Sequence, residues 1–177
     1  MTLRLPVGRA PWRSRTDRSA RATQSVAVEV LVCGSPDRGD DGAPLAAAAV
    51  LRQNLAGDVR VRIVGQLDID DLLAVSADAR VVIVDAAVGI RAGQIVELPL
   101  TGLVGREDRL RPRSSHALAF PEVIGLAEVM RGRPMRGLIV AIGGRSFGLG
   151  AAFSPTVARA IPALATAVRD AIGRLRD

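Results

Sequence analysis

Residues 28–44, VEVLVCGSPDRGDDGAP, constrain the chain more than any other stretch, because an apolar run stops at a glycine, turns, and meets two consecutive aspartates before a helix-like segment. Val28, Val30, Leu31, Val32 and Cys33 are apolar, β-branched or small, and their near-continuity is that of a parallel strand buried on both faces. Gly34, Ser35, Pro36, Asp37 and Gly39 supply the turn by which the chain leaves the carboxyl end of that strand, the edge where open α/β sheets bind their ligands. Asp40 or Asp41 can cap a helix beginning near Gly42 and running through Leu45 and the alanines to Leu55. One aspartate suffices for the cap, which leaves the other to face the crevice.

The rest of the chain repeats the pattern. Residues 81–84 (VVIV) form a second buried-strand run that delivers Asp85 to the same edge, followed by the small residues Ala86, Ala87 and Gly89. Residues 138–142 (LIVAI) form a third, looped back by Gly143, Gly144 and Gly148. Residues 59–64 (VRVRIV) alternate as a strand should and end at Gly65. Residues 94–98 (QIVEL) follow a connection too short for a helical crossover, so they predict an antiparallel edge strand. Asp68, Asp70 and Asp71 head a short helix through Leu72, Leu73 and Val75, where capping explains the acids, although Asp68 leaves the same sheet edge. Pro121 and Glu122 suit the first turn of a helix ending near Gly132. Ser154 caps and Pro155 opens the last helix, whose core stripe is Val157, Ile161, Leu164, Val168, Ile172 and Leu175; Pro162 is expected to kink it or delay its regular start. The fold class is therefore α/β: a three-layer sandwich with a mostly parallel twisted sheet of about five strands, one antiparallel edge strand, and helices on both faces.

Charge and composition exclude several function classes. Residues 1–25 hold six arginines against one aspartate, so they carry +5 of the net +6 and the remainder is nearly neutral. That body lacks the basic stripe of a nucleic-acid-binding face. We read residues 1–25 as a disordered, Arg-rich extension and residues 26–177 as a single α/β domain. Arg, Asp or Gly breaks every apolar run short of membrane-spanning length, and a monomer without a membrane span is the expectation. The single Cys33 can make no internal disulfide and no thiolate cage for zinc, which fits a reducing cytoplasm. All 24 basic residues are arginine, so any function requiring a lysine is excluded.

The missing lysine decides two questions. A P-loop needs one, and GSPDRGDDG matches neither it nor the dinucleotide fingerprint; adjacent acids would also repel phosphate. A metal-dependent phospho-acceptor domain has similarly placed acids but holds its phosphoryl group with a lysine. What remains is Asp41, Asp85 and His116, two carboxylates and the chain's only imidazole, brought from three loops to one edge. His116 closes the polar, Arg-rich segment 101–115, a long loop of the kind that carries function. Such oxygen and nitrogen ligands suit Ni²⁺ or Zn²⁺ with open positions, and three ligands imply a reactive site or recognition of a metal held by another molecule.

These residues carry a resemblance to the hydrogenase maturation endopeptidases, which remove a C-terminal extension from the precursor of the nickel–iron hydrogenase large subunit. A strand ending in a glycine turn, an acidic pair followed by glycine, an aspartate after VVIVDA, and a histidine in SSH before a helix occur in that order over about residues 26–176. The resemblance implies an aspartic-type peptidase whose metal-contacting acid is Asp41, second acid Asp85 and histidine His116. It implies no permanent cofactor, since the nickel contacted belongs to the precursor, the expected partner. Three positions depart from the family pattern. Cys33-Gly34-Ser35-Pro36 replaces G-x-G-N, Asp41 replaces a glutamate one methylene longer, and Gln66-Leu67-Asp68 replaces a Gly-Thr turn. A non-catalytic metallochaperone or assembly scaffold that holds the same precursor is the alternative reading.

Overall fold

A computed structural model of the chain describes residues 26–52, 55–101, 103 and 120–177. The expected extension, residues 1–25, lies outside these residues, as do His116 and most of the segment before it. The strands are β1 (Val28–Cys33), β2 (Val59–Gly65), β3 (Arg80–Ala87), β4 (Ile95–Pro99) and β5 (Gly137–Gly143). They form one sheet in the order β2-β1-β3-β5-β4. β1 pairs parallel with β2 and β3, β3 pairs parallel with β5, and β4 runs antiparallel to β5 at the edge, with Ile95 opposite Ile142. The expected antiparallel edge strand is thus present. β4 is not hairpinned to β3, because β5 enters the sheet between them.

Strand periodicity divides the core into two layers. On one face Val28, Val30 and Val32 of β1 join Val82, Val84, Val140 and Ile142 under helices α1 (Ala43–Leu51) and α4 (Pro155–Arg176). On the other, Leu31 and Cys33 join Val81, Ile83 and Ile139 under α2 (Ile69–Leu73) and α3 (Phe120–Arg131). β1 is buried along its whole length, as a strand covered on both faces must be. Each such fully buried aliphatic side chain contributes roughly 1.5–3 kcal/mol, so the central strands anchor the molecule.

Helix caps and ends depart from the sequence expectations. α1 is entered through a 3₁₀ turn, Gly39–Gly42, and no aspartate side chain caps it. Pro44 in its first turn has no N–H to satisfy, and both carboxylates are recruited elsewhere. The helix also stops at Leu51, with Arg52 as its C-cap, rather than near Leu55. Ser154 does stand at the N-cap of α4, but its side chain makes no capping bond. Pro162 lies inside that helix without delaying its start, which is fixed one turn earlier by the bond from Ala158 N–H to the Ser154 carbonyl. Arg174 and Arg176 at the far end pair with Glu97 and Asp58. Among the described residues no helix is long and apolar enough to cross a membrane.

Candidate active site

The turn after β1 folds back on itself. Gly34 has φ +110°, and a Cβ there would lie 2.0 Å from the Asp41 carbonyl oxygen, so no side chain fits. Its N–H donates to the Gly65 carbonyl at 2.7 Å, which joins the turn to the end of β2. Ser35 N–H donates to Asp41 Oδ2 at 2.9 Å. This backbone bond holds the Asp41 carboxylate beyond the carboxyl edge of β1.

Asp40 has the opposite task. It is fully buried, and its carboxylate accepts from the N–H groups of Arg145 (2.8 Å), Ser146 (2.9 Å) and Ser154 (2.6 Å). Its own N–H donates to the Ser146 carbonyl at 2.7 Å. Burial by itself would raise its pKa, but the three donors outweigh burial and hold it below the usual carboxylate range. Asp40 therefore fastens the β5–α4 loop to the turn that carries Asp41.

Asp85 stands in β3 opposite Ala141 of β5, two residues before the strand ends rather than just beyond it. Its pKa is pushed up to about 7, first by burial and further by the negative charge of Asp41, against a lowering bond from Ala86 N–H. β1 and β3 pair side by side, and the turn after β1 brings Asp41 close enough to Asp85 for its charge to be felt there. Cys33 lies buried beneath them, and its thiol is pushed well above its ordinary value by burial, then by the charges of Asp85, Asp71 and Asp41. It stays protonated, with Leu67 N–H as its backbone partner. Burial and the neighbouring charge thus favour the protonated form of Asp85.

The sheet brings Asp41 and Asp85 together, while His116 lies outside the described residues. Among the described residues no group of three or more His, Cys, Asp or Glu side chains is placed to hold a metal ion. Asp68 is accounted for by capping: its side chain accepts from Asp71 N–H at 3.0 Å, and Asp71 reciprocates.

Sequence reading passed over Glu29, which lies fully buried within β1. Its Oε1 accepts from Ser76 N–H at 2.9 Å, and Arg62 and Arg60 approach within 3.8 and 3.9 Å. The available signal was one charge inside an apolar strand, with two arginines spaced by two in the strand that pairs with it.

No protein-family model matches the sequence, and no curated protein matches it. Solved structures do. Hydrogenase maturating endopeptidase HybD from E. coli superimposes with TM-score 0.69 at 19% identity, over 84% of this chain and 93% of that one. [NiFe] hydrogenase maturation protease HycI from Thermococcus kodakarensis KOD1 gives 0.62 at 21%, over 85% and 95%. HybD from Thermococcus kodakarensis gives 0.64 at 18%, over 81% and 97%. This chain has the fold of the hydrogenase maturation proteases. In that fold Asp85 lies near the carboxyl end of β3, and Asp41 lies in the 3₁₀ turn that follows the adjacent strand β1.

Proposed function

We propose that this protein is an endopeptidase that removes the C-terminal extension of a nickel-loaded hydrogenase large-subunit precursor, and that Asp41, Asp85 and His116 recognise the metal. The observation that carries the reading is the coupled pair Asp41–Asp85 at the carboxyl edge of a maturation-protease fold. Here nickel is part of the substrate, and the enzyme contributes no permanent metal of its own.

A carboxylate must be deprotonated to bind a metal, and burial favours the protonated form of Asp85, so contact of this acid with the nickel centre would release a proton to solvent. Contact with the metal then positions the peptide bond beside the acid pair, which converts cleavage into an intramolecular-like event. A carboxylate or a metal-polarised water supplies the nucleophile. The reaction would take place in the cytoplasm, a reducing compartment with which a single free cysteine is compatible.

The test is the intact mass of a nickel-loaded large-subunit precursor after incubation with the purified protein. Loss of a discrete C-terminal peptide that requires nickel, and that vanishes with Asp41→Ala, Asp85→Ala or His116→Ala while thermal stability stays near that of the wild type, is the expected result. Binding without a change in mass would overturn the endopeptidase and leave the scaffold reading.

A further inference from the structure

Beyond the acids, the edge that carries them has a second chemical character. We propose that Phe153 and Leu149, on the β5–α4 loop, form an apolar lip beside Asp41 that seats an apolar side chain of the peptide being cleaved. This inference rests on the endopeptidase reading and names a specificity determinant within it. Leu149 is 81% exposed and Phe153 38%, and both stand on the carboxyl side of the sheet.

Neither is on a loose tip. Ser154 N–H, one residue beyond Phe153, is fixed to Asp40, and Gly150 N–H, one residue beyond Leu149, donates to the Asp37 carbonyl at 2.7 Å. The Phe153 ring lies over Gly42, the residue after Asp41, where an added Cβ would stand 3.3 Å from ring atom Cε1 and 3.3 Å from the Ser35 carbonyl. Ring, Ser35 and Asp41 thus border one another, since Ser35 N–H is the donor to Asp41. Val88, half-exposed and three residues beyond Asp85, stands on the neighbouring β3–β4 turn, where Gly144 N–H meets the Ala87 carbonyl.

A loop pinned at both apolar residues offers their surface already ordered, so a partner that covers them pays little conformational entropy. Two side chains cannot supply the roughly 800 Å² per partner of a stable dimer. Asp37, Asp41 and Asp85 outnumber the exposed Arg38 and Arg145 on the same loops, which disfavours an anionic lipid surface. An extended peptide crossing the acid pair fits the lip, with one apolar residue against Phe153 and Leu149 and the scissile bond at Asp41.

Steady-state cleavage and equilibrium binding of nickel-loaded precursor would be measured for the wild type, Leu149→Ser, Phe153→Ser, Phe153→Leu, the double serine variant, and Val129→Ser on the outward face of α3. A second precursor would carry serine in place of the apolar residues of its extension. Expected are a roughly tenfold rise in KM and Kd for the double variant with kcat retained, near-wild-type behaviour of Phe153→Leu and Val129→Ser, and no additional loss with the serine-substituted precursor. A KM and Kd within twofold of wild type in the double variant, or fully additive losses, would overturn the lip while leaving the endopeptidase standing. If the wild type binds without cleaving, Kd alone decides the lip and only the protease reading falls; if it does neither, both fall.

Discussion

Asp40 and Asp85 are the same residue type held in opposite protonation regimes. Three backbone donors keep Asp40 ionised, so Asp40→Ala strands buried N–H groups and is expected to cost about 2–4 kcal/mol in denaturant unfolding at pH 7. A depressed pKa contributes stability above the unfolded-state value and loses it as pH falls through the folded one, so the gap between wild type and variant should shrink in acid. Asp85 carries the reverse sign. With a folded pKa near 7 it holds a proton that the unfolded chain releases at lower pH, so its ionisation destabilises the fold as pH rises toward 7. Asp85→Asn is expected to match wild type in melting temperature near pH 4, to exceed it increasingly toward pH 7, and then to level off. A gap independent of pH would contradict this environment for Asp85. The sequence marks the acidic pair but not which member does what. Its roles are set by Arg145, Ser146 and Ser154, more than a hundred residues away, and by nothing local.

Strands were more legible than helix ends. Apolar runs bounded by glycine state a buried strand outright, since a charge in that layer must find a partner, and all five strands fall where the pattern puts them. The end of α1 was not legible because Arg52 carries no stop signal, and the cap of α1 was misread because a 3₁₀ entry with Pro44 leaves little for an aspartate to cap. α2 shows how a five-residue helix survives. Its capping box closes the start, Arg62 donates to the Asp71 carbonyl and carboxylate, and the Arg131 guanidinium of α3 donates to the Leu72 and Val75 carbonyls at 2.9 Å each. A helix this short does not stand on propensity. Arg131→Ala should therefore destabilise the protein by about 1–3 kcal/mol, and amide exchange should quicken first in residues 69–76. Uniform quickening throughout the chain would mean that Arg131 supports the core generally rather than α2.

At the scale of the molecule, the sheet order puts β3 at the centre with β1 and β5 beside it, so Asp85 is mounted on a strand with neighbours on both sides and Asp41 on the turn that follows another such strand. Among the described residues the edge strands β2 and β4 each have one neighbour only. Local opening is easiest where backbone bonds are few, so amide exchange should be slowest in β1, β3 and β5 and faster in β2 and β4. The β5–α4 loop is the informative exception. As a surface connection it would ordinarily exchange fast, but its Arg145, Ser146 and Ser154 amides end on the buried Asp40 carboxylate. Those three amides are expected to be protected like strand amides in wild type and to lose that protection in Asp40→Asn, while β1 and β3 keep theirs. Fast exchange at all three in wild type would mean that the loop is not held to the turn, and the Asp41 carboxylate would then lack the fixed wall that the acid pair is built against.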